Sequence, residues 1–282
     1  MASALQPVFP EDVERTINEA VLSETSDMCG TMSLVASRFR IWTRPNMFHT
    51  VIVRRRAGWM QRMSDCLLPH ASFIRILALD LPSSQAGVRY QLPDGELALI
   101  RQLLGAAEEV RHLAATWNVW THLQRECGAL PLESLYLIWD QAFDVPAPSL
   151  DPLQHPTMLR DLTVYAPAAL YFLTPFRSFA ELLLPATEQC ASLAYVTYAT
   201  DRPPSPGVAG VAVKRTMLVL VGKTELNRFE ADMVQRTRQL YPNFSSRCLS
   251  DWNQLLREWV ARMEGRESIL DHAPEMRRAK AH

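Results

Sequence analysis

Apolar residues recur along this chain in one spacing, L-x-x-L-x-L, at five places. Leu132, Leu135 and Leu137 carry it inside the run Leu132-Glu133-Ser134-Leu135-Tyr136-Leu137-Ile138-Trp139. Ile74, Leu77 and Leu79 repeat it, as do Val110, Leu113 and Ala115, then Leu159, Leu162 and Val164, then Leu193, Val196 and Tyr198. Successive starts lie 36, 22, 27 and 34 residues apart. Each interval has room for a strand, a turn and a returning helix, although the period is irregular. Such a unit cannot bury its apolar strand alone. Stacked units form a parallel sheet whose helix-facing side is dry along the whole array. An ordinary α/β domain whose parallel strands merely share the spacing is the alternative.

The segments around these strands follow other periods. Phe9-Pro10-Glu11-Asp12 reads as a helix start, with proline in the first turn and acids favoured by the helix dipole. Val13, Ile17, Ala20 and Val21 then form one apolar stripe, and Ser23 to Asp27 is a polar break. Met28, Met32, Val35, Phe39 and Trp42 define a second helical face. Phe48 to Val53 alternates toward strand character.

Further on, Trp59, Met60, Met63 and Leu67 form an amphipathic piece, and Leu97, Ile100, Leu103 and Leu104 a helix returning to the sheet. Phe179 to Cys190 reads as another such helix. Proline-rich loops fall at 145–156 and 202–207, and Thr216–Val221 reads as a final apolar strand. Two helices follow: one carries Leu226, Phe229, Met233 and Leu240. The other carries Trp252, Leu255, Leu256, Trp259, Val260 and Met263, with Ser250 as its N-cap and Gly265 at its end. They are expected to cover the last open face of the array. Residues 266–282 read as a loose tail.

Composition narrows the class. The 282 residues are 48% apolar and 21% charged with a formal net charge of -1, so no global field draws the chain to nucleic acid or an acidic membrane. No apolar run reaches the roughly 20 residues of a membrane span, and no secretory leader is read at the start. The five cysteines are far apart and form no C-x-x-C pair, which suggests neither a zinc cage nor a disulfide framework. A cytosolic or nuclear location is expected. Arg54-Arg55-Arg56 has the density of a phosphate contact or a nuclear signal, but such a run more often solvates a helix face.

Catalytic patterns are not found: there is no phosphate-binding glycine loop, G-x-S-x-G or H-E-x-x-H. His112 and His122 with Asp140 and Asp144 are the best candidates for a general base and its orienter, since the aspartates follow a strand end. The alternative assignment makes His112 a hydrogen-bonded strand residue and both aspartates turn caps. No metal or cofactor is expected.

Several of these stretches carry a resemblance. Phe9-Pro10-Glu11, the Val13/Ile17 stripe, Leu34-Val35-Ala36-Ser37-Arg38-Phe39-Arg40-Ile41-Trp42 and Pro45-Asn46-Met47-Phe48 resemble an F-box. Phe9 stands where that pattern has leucine, and Ala36 where it has cysteine. Together with Val110–Ala114, Leu130–Leu135 and the 251–262 helix, they make most of the chain similar to the F-box-like, leucine-rich-repeat-like proteins of mushroom-forming fungi. The resemblance implies an α/β protein: a short F-box-like helical module at 8–53, then an irregular leucine-rich-repeat-like array at 54–265 with a parallel sheet and capping helices.

It also implies a non-enzymatic protein-interaction adaptor. Phe9, Pro10, Val13, Ile17, Val35, Phe39 and Trp42 would dock on the Skp-type adaptor of a cullin ubiquitin ligase, and the repeat face would hold an unknown target protein. Neither nucleic acid nor a membrane is an expected partner. A scaffold with a degenerate F-box, and an enzyme or small-ligand protein using the loops near His112, His122 and Asp140, are the alternatives.

Overall fold

A computed structural model describes residues 10–24, 31, 34, 37–81, 92–138, 150, 153–165, 190–200, 215–221, 231, 232, 235, 239, 244–249, 251–268 and 270. Eight strands form one sheet: β1 (Thr50–Arg54), β2 (Ile76–Asp80), β3 (His112–Thr116), β4 (Ser134–Ile138), β5 (Asp161–Tyr165), β6 (Tyr195–Thr200), β7 (Arg215–Val221) and β8 (Phe244–Leu249). Each pairs in parallel with the next in sequence, so the order along the sheet is the order along the chain. With no reversal of strand order, the described crossovers between β1 and β4 advance the same way and pack on one side of the sheet.

The register explains the repeated spacing. Val51, Leu77, Leu113, Leu135, Leu162 and Val196 align across six strands, and Val53, Leu79, Ala115, Leu137 and Val164 form the next apolar row but one. Side chains alternate along a strand, so both rows point to the same side, where they join one buried core with Ile100, Leu103 and Trp120. The leading position of each repeat, at Ile74, Val110, Leu132, Leu159 and Leu193, is buried just before its strand.

There a backbone bond pattern recurs. The carbonyls of His49, Arg75, Arg111, Glu133 and Arg160 each accept from two successive N–H groups of the next unit, at 2.7–3.2 Å. This recurrence satisfies the polar backbone at the entry of every strand, where it would otherwise be costly to bury.

The helical side is irregular because the loops differ in length. Between β1 and β2 lie α3 (Trp59–Arg62), a π-helical turn (Met63–Leu67) and a 3-10 turn (Leu68–Phe73). Between β2 and β3 lies α4 (Asp94–Ala106), and between β3 and β4 lie α5 (Trp117–His122) and α6 (Gln124–Gly128). Thr116 caps α5, its hydroxyl accepting from Val119 N–H at 3.4 Å. Preceding the sheet, α1 (Glu11–Glu24) and α2 (Ser37–Met47) pack against each other. The pair meets the array where Phe48 packs on His70, ring centroids 4.4 Å apart.

Several expectations change. The boundary after Val53 falls inside β1, which pairs with β2, so the helical module ends before Thr50. Thr216–Val221 lies within β7 and is not the last strand; β8 follows it. The helix after β8, α7 (Trp252–Met263), is capped by Asp251 rather than Ser250, the carboxylate accepting from Gln254 N–H at 2.8 Å. Gly265 does end it, at φ 72°, a conformation open to glycine without strain. The tail expected to be loose from Arg266 is held at its start: Ser268 Oγ donates to the Glu258 carbonyl at 2.8 Å, and Leu270 is fully buried.

Most of the expected helices at 179–190 and 226–240, and most of the loops at 145–156 and 202–207, lie outside the described residues. Among the described residues, no helix is long and apolar enough to cross a membrane.

Candidate functional site

In the α1–α2 pair, α1 is built the wrong way round for a helix that only serves a core. On α1 the polar residues Glu14 and Asn18 are 7% and 0% exposed, whereas Val13 and Ile17, one position earlier in each turn, are 39% and 45% exposed. Glu14 is buried where it meets α2. Arg38 reaches across to Glu14, with Nη2 donating to Oε1 at 2.9 Å. Pro10 is exposed, and its carbonyl accepts from the Val13 and Glu14 N–H groups at 3.1 Å, which starts the helix.

On α2, Phe39 and Trp42 are half-buried and meet edge-to-face, centroids 5.2 Å apart. The structure therefore brings Pro10, Val13 and Ile17 onto one helix and Phe39 and Trp42 onto its neighbour. Phe9 and Val35, the other two expected docking residues, lie outside the described residues. Of the large apolar side chains exposed among the described residues, most lie on these two helices or between them: Val13, Ile17, Leu34, Ile41 and Met47.

The sheet face opposite the crossover helices is occupied. The rows pointing there, such as Ala78–Ala114–Tyr136 and Ile76–His112–Ser134–Asp161–Tyr195, lie under α7. Leu255, Leu256, Trp259 and Val260 of α7 form a second core with Ile76, Ala78, Ala114 and Tyr136. The indole N–H of Trp259 donates to Ser134 Oγ at 3.1 Å, and its ring lies 5.8 Å from that of Tyr136.

One turn on, Arg262 forms an ion pair with Asp161 at 2.6 Å and lies over the Tyr195 ring at 5.1 Å. Burial pushes the Asp161 carboxyl up from its ordinary value, and Arg262 and the Thr163 hydroxyl pull it back. α7 spans the sheet face opposite the crossovers, because an eight-stranded sheet with apolar residues on both sides has two faces to cover.

The two candidate histidines are not brought together. His112 opens β3 and His122 closes α5, beyond the opposite end of the same strand. His122 is exposed, whereas burial lowers the His112 imidazole to about 4, opposed by Glu133. Asp140 and Asp144 lie outside the described residues. Among the described residues no group of His, Cys, Asp and Glu is arranged to hold a metal ion, and Cys66, Cys127, Cys190 and Cys248 are free thiols.

The arginine run is divided. Arg54 pairs with the buried Asp80 at 3.1 Å, Arg55 pairs with Glu96, and Arg56 is exposed. Periodicity reveals the apolar stripe on α1 but not its outward direction, for which the polar Glu14/Asn18 pair at the same helical spacing is the available signal. Comparison with protein-family models, with curated proteins and with solved structures finds no match.

Proposed function

We propose that this protein is a protein-interaction adaptor of the F-box kind. Its α1–α2 helix pair docks on the Skp-type adaptor of a cullin ubiquitin ligase, and its irregular, leucine-rich-repeat-like array carries the target. The supporting observation is the inverted α1: Glu14 and Asn18 are buried while Val13 and Ile17 face outward. Helices normally bury their apolar stripe. One that buries its polar side leaves an apolar stripe for another protein, and clustered exposed apolar residues mark such surfaces.

The helix pair also stands apart from the sheet's packing. Among the described residues, neither buried core contains a residue before Val53, so the pair can meet a partner without unpacking the sheet. The target does not sit on the centre of the face opposite the crossovers, since α7 covers it; the rims and edges of the array are what remain. A pull-down with purified Skp-type adaptor tests the reading. Retention that Ile17→Asp abolishes supports it, and no retention at tens of micromolar rejects it.

A further inference from the structure

We propose that the free edge of β1 is a binding site for an extended acidic peptide segment of a partner protein, which adds to the sheet as a further strand. The sheet order leaves the outer side of β1 unpaired by any described strand. The His49 carbonyl points to β2, where it accepts from Arg75 and Ile76. Backbone groups alternate sides along a strand, so those of Thr50, Ile52 and Arg54 point away from the sheet. Ile52 is also among the exposed large apolar side chains.

A groove of about 830 Å³ runs along this edge. Its lining includes Val51 to Arg54 of β1, Trp59, Arg62 and Met63 from the crossover side, and Arg257 of α7 from the opposite side. A space bounded by groups from both sides of the sheet, and by the edge strand itself, must follow the open edge. Trp59 and Met63 give it an apolar floor, being 8% and 2% exposed.

The charge of the groove selects its occupant. Arg54, Arg56, Arg62 and Arg257 line it, and no acidic residue does among the described residues. Arg54 is held by Asp80, but Arg56, Arg62 and Arg257 have no carboxylate partner among the described residues. Gly58, at φ 68°, makes the turn after β1 that brings Arg62 back toward the strand. A second copy pairing edge to edge would bring like-charged arginines together, which is unfavourable. An acidic strand satisfies both the open backbone and the cations, in the manner of β-strand addition. The inference uses neither α1 nor α2 and stands independently of the adaptor reading.

The test uses the full chain and a fluorescein-labelled peptide, acetyl-Glu-Val-Glu-Val-Glu-Val-Glu, read by anisotropy and by amide exchange. Saturable binding is expected, with slowed exchange at the Ile52 and Arg54 amides. R62E/R257E should weaken it by about tenfold or more, since charge-assisted contacts are lost. The same peptide N-methylated at alternate residues keeps its charge and should lose binding, which tests strand pairing even if the double variant folds poorly. Equal binding of the Lys-for-Glu peptide, binding without protection of Ile52 and Arg54, or no binding at millimolar peptide would overturn the proposal. In the last case the arginines only guard the edge against aggregation.

Discussion

Trp259 donates its indole N–H to the Ser134 hydroxyl across 125 residues of sequence, at 3.1 Å and out of contact with water. The contact fixes where α7 lies on the sheet, because a buried indole N–H without an acceptor is costly. It also means that the final helix is part of the fold rather than an appendage. Trp259→Ala should cost about 3–5 kcal/mol, the range for removing a large buried aromatic. Trp259→Phe should cost less, and Ser134→Ala should lose most of its effect in the Phe background. Urea unfolding of the four variants checks this coupling.

The Asp161–Arg262 pair gives a pH signature. Asp161 is buried and its carboxyl is raised from the ordinary value, so its contribution to stability is full below the unfolded value and is lost as pH rises through the folded one. Arg262→Met removes the cation that offsets this and should destabilise the protein by about 3–5 kcal/mol at neutral pH. The loss should shrink as pH falls toward the carboxylate range, and Asp161→Asn should rescue the variant. A loss independent of pH would show that Arg262 acts through packing alone.

His112 works in the opposite direction. Its imidazole is lowered to about 4 by burial, so the folded protein binds fewer protons than the unfolded chain between that value and the ordinary one of 6.5. Stability from this group is present above pH 6.5 and is lost as pH falls through about 4. The loss should amount to roughly 2–3 kcal/mol. His112→Leu should flatten the stability profile across that window, checked by urea titrations at several pH values.

Leu135 lies in the apolar row shared by β2 to β6. Leu135→Ala should cost roughly 2–5 kcal/mol. Since each strand leans on its neighbours, amide exchange should quicken in β3 and β5 as well as in β4. Loosening confined to residues near 135 would contradict a shared core.

How far the sequence predicted these features follows from what spacing can encode. The rows through Leu77, Leu113, Leu135, Leu162 and Val196 were visible because a buried parallel strand repeats its apolar positions. β8 was not visible, since Phe244-Ser245-Ser246-Arg247-Cys248-Leu249 offers few apolar residues to a pattern search. The stripe of Leu255, Leu256, Trp259 and Val260 shows that α7 buries one face, but not against what. End of array and open sheet face leave the same period in the sequence. Ser134 and Asp161 meet α7 through single polar contacts, which have no period at all. On α1 the stripe itself was legible, yet its direction was set by Glu14 meeting Arg38, a pairing between two helices that no local pattern records.

The adaptor reading rests on that direction, and one titration decides it. Ile17 is 45% exposed, so Ile17→Asp should leave the unfolding midpoint within the usual range for a surface change, about 0.5 kcal/mol. In calorimetry against a purified Skp-type adaptor, the native protein should bind at micromolar or lower concentration, and Ile17→Asp, by placing a charge in the apolar contact, should show no heat of binding. Equal binding by the two proteins, or none by either at tens of micromolar, would contradict the account.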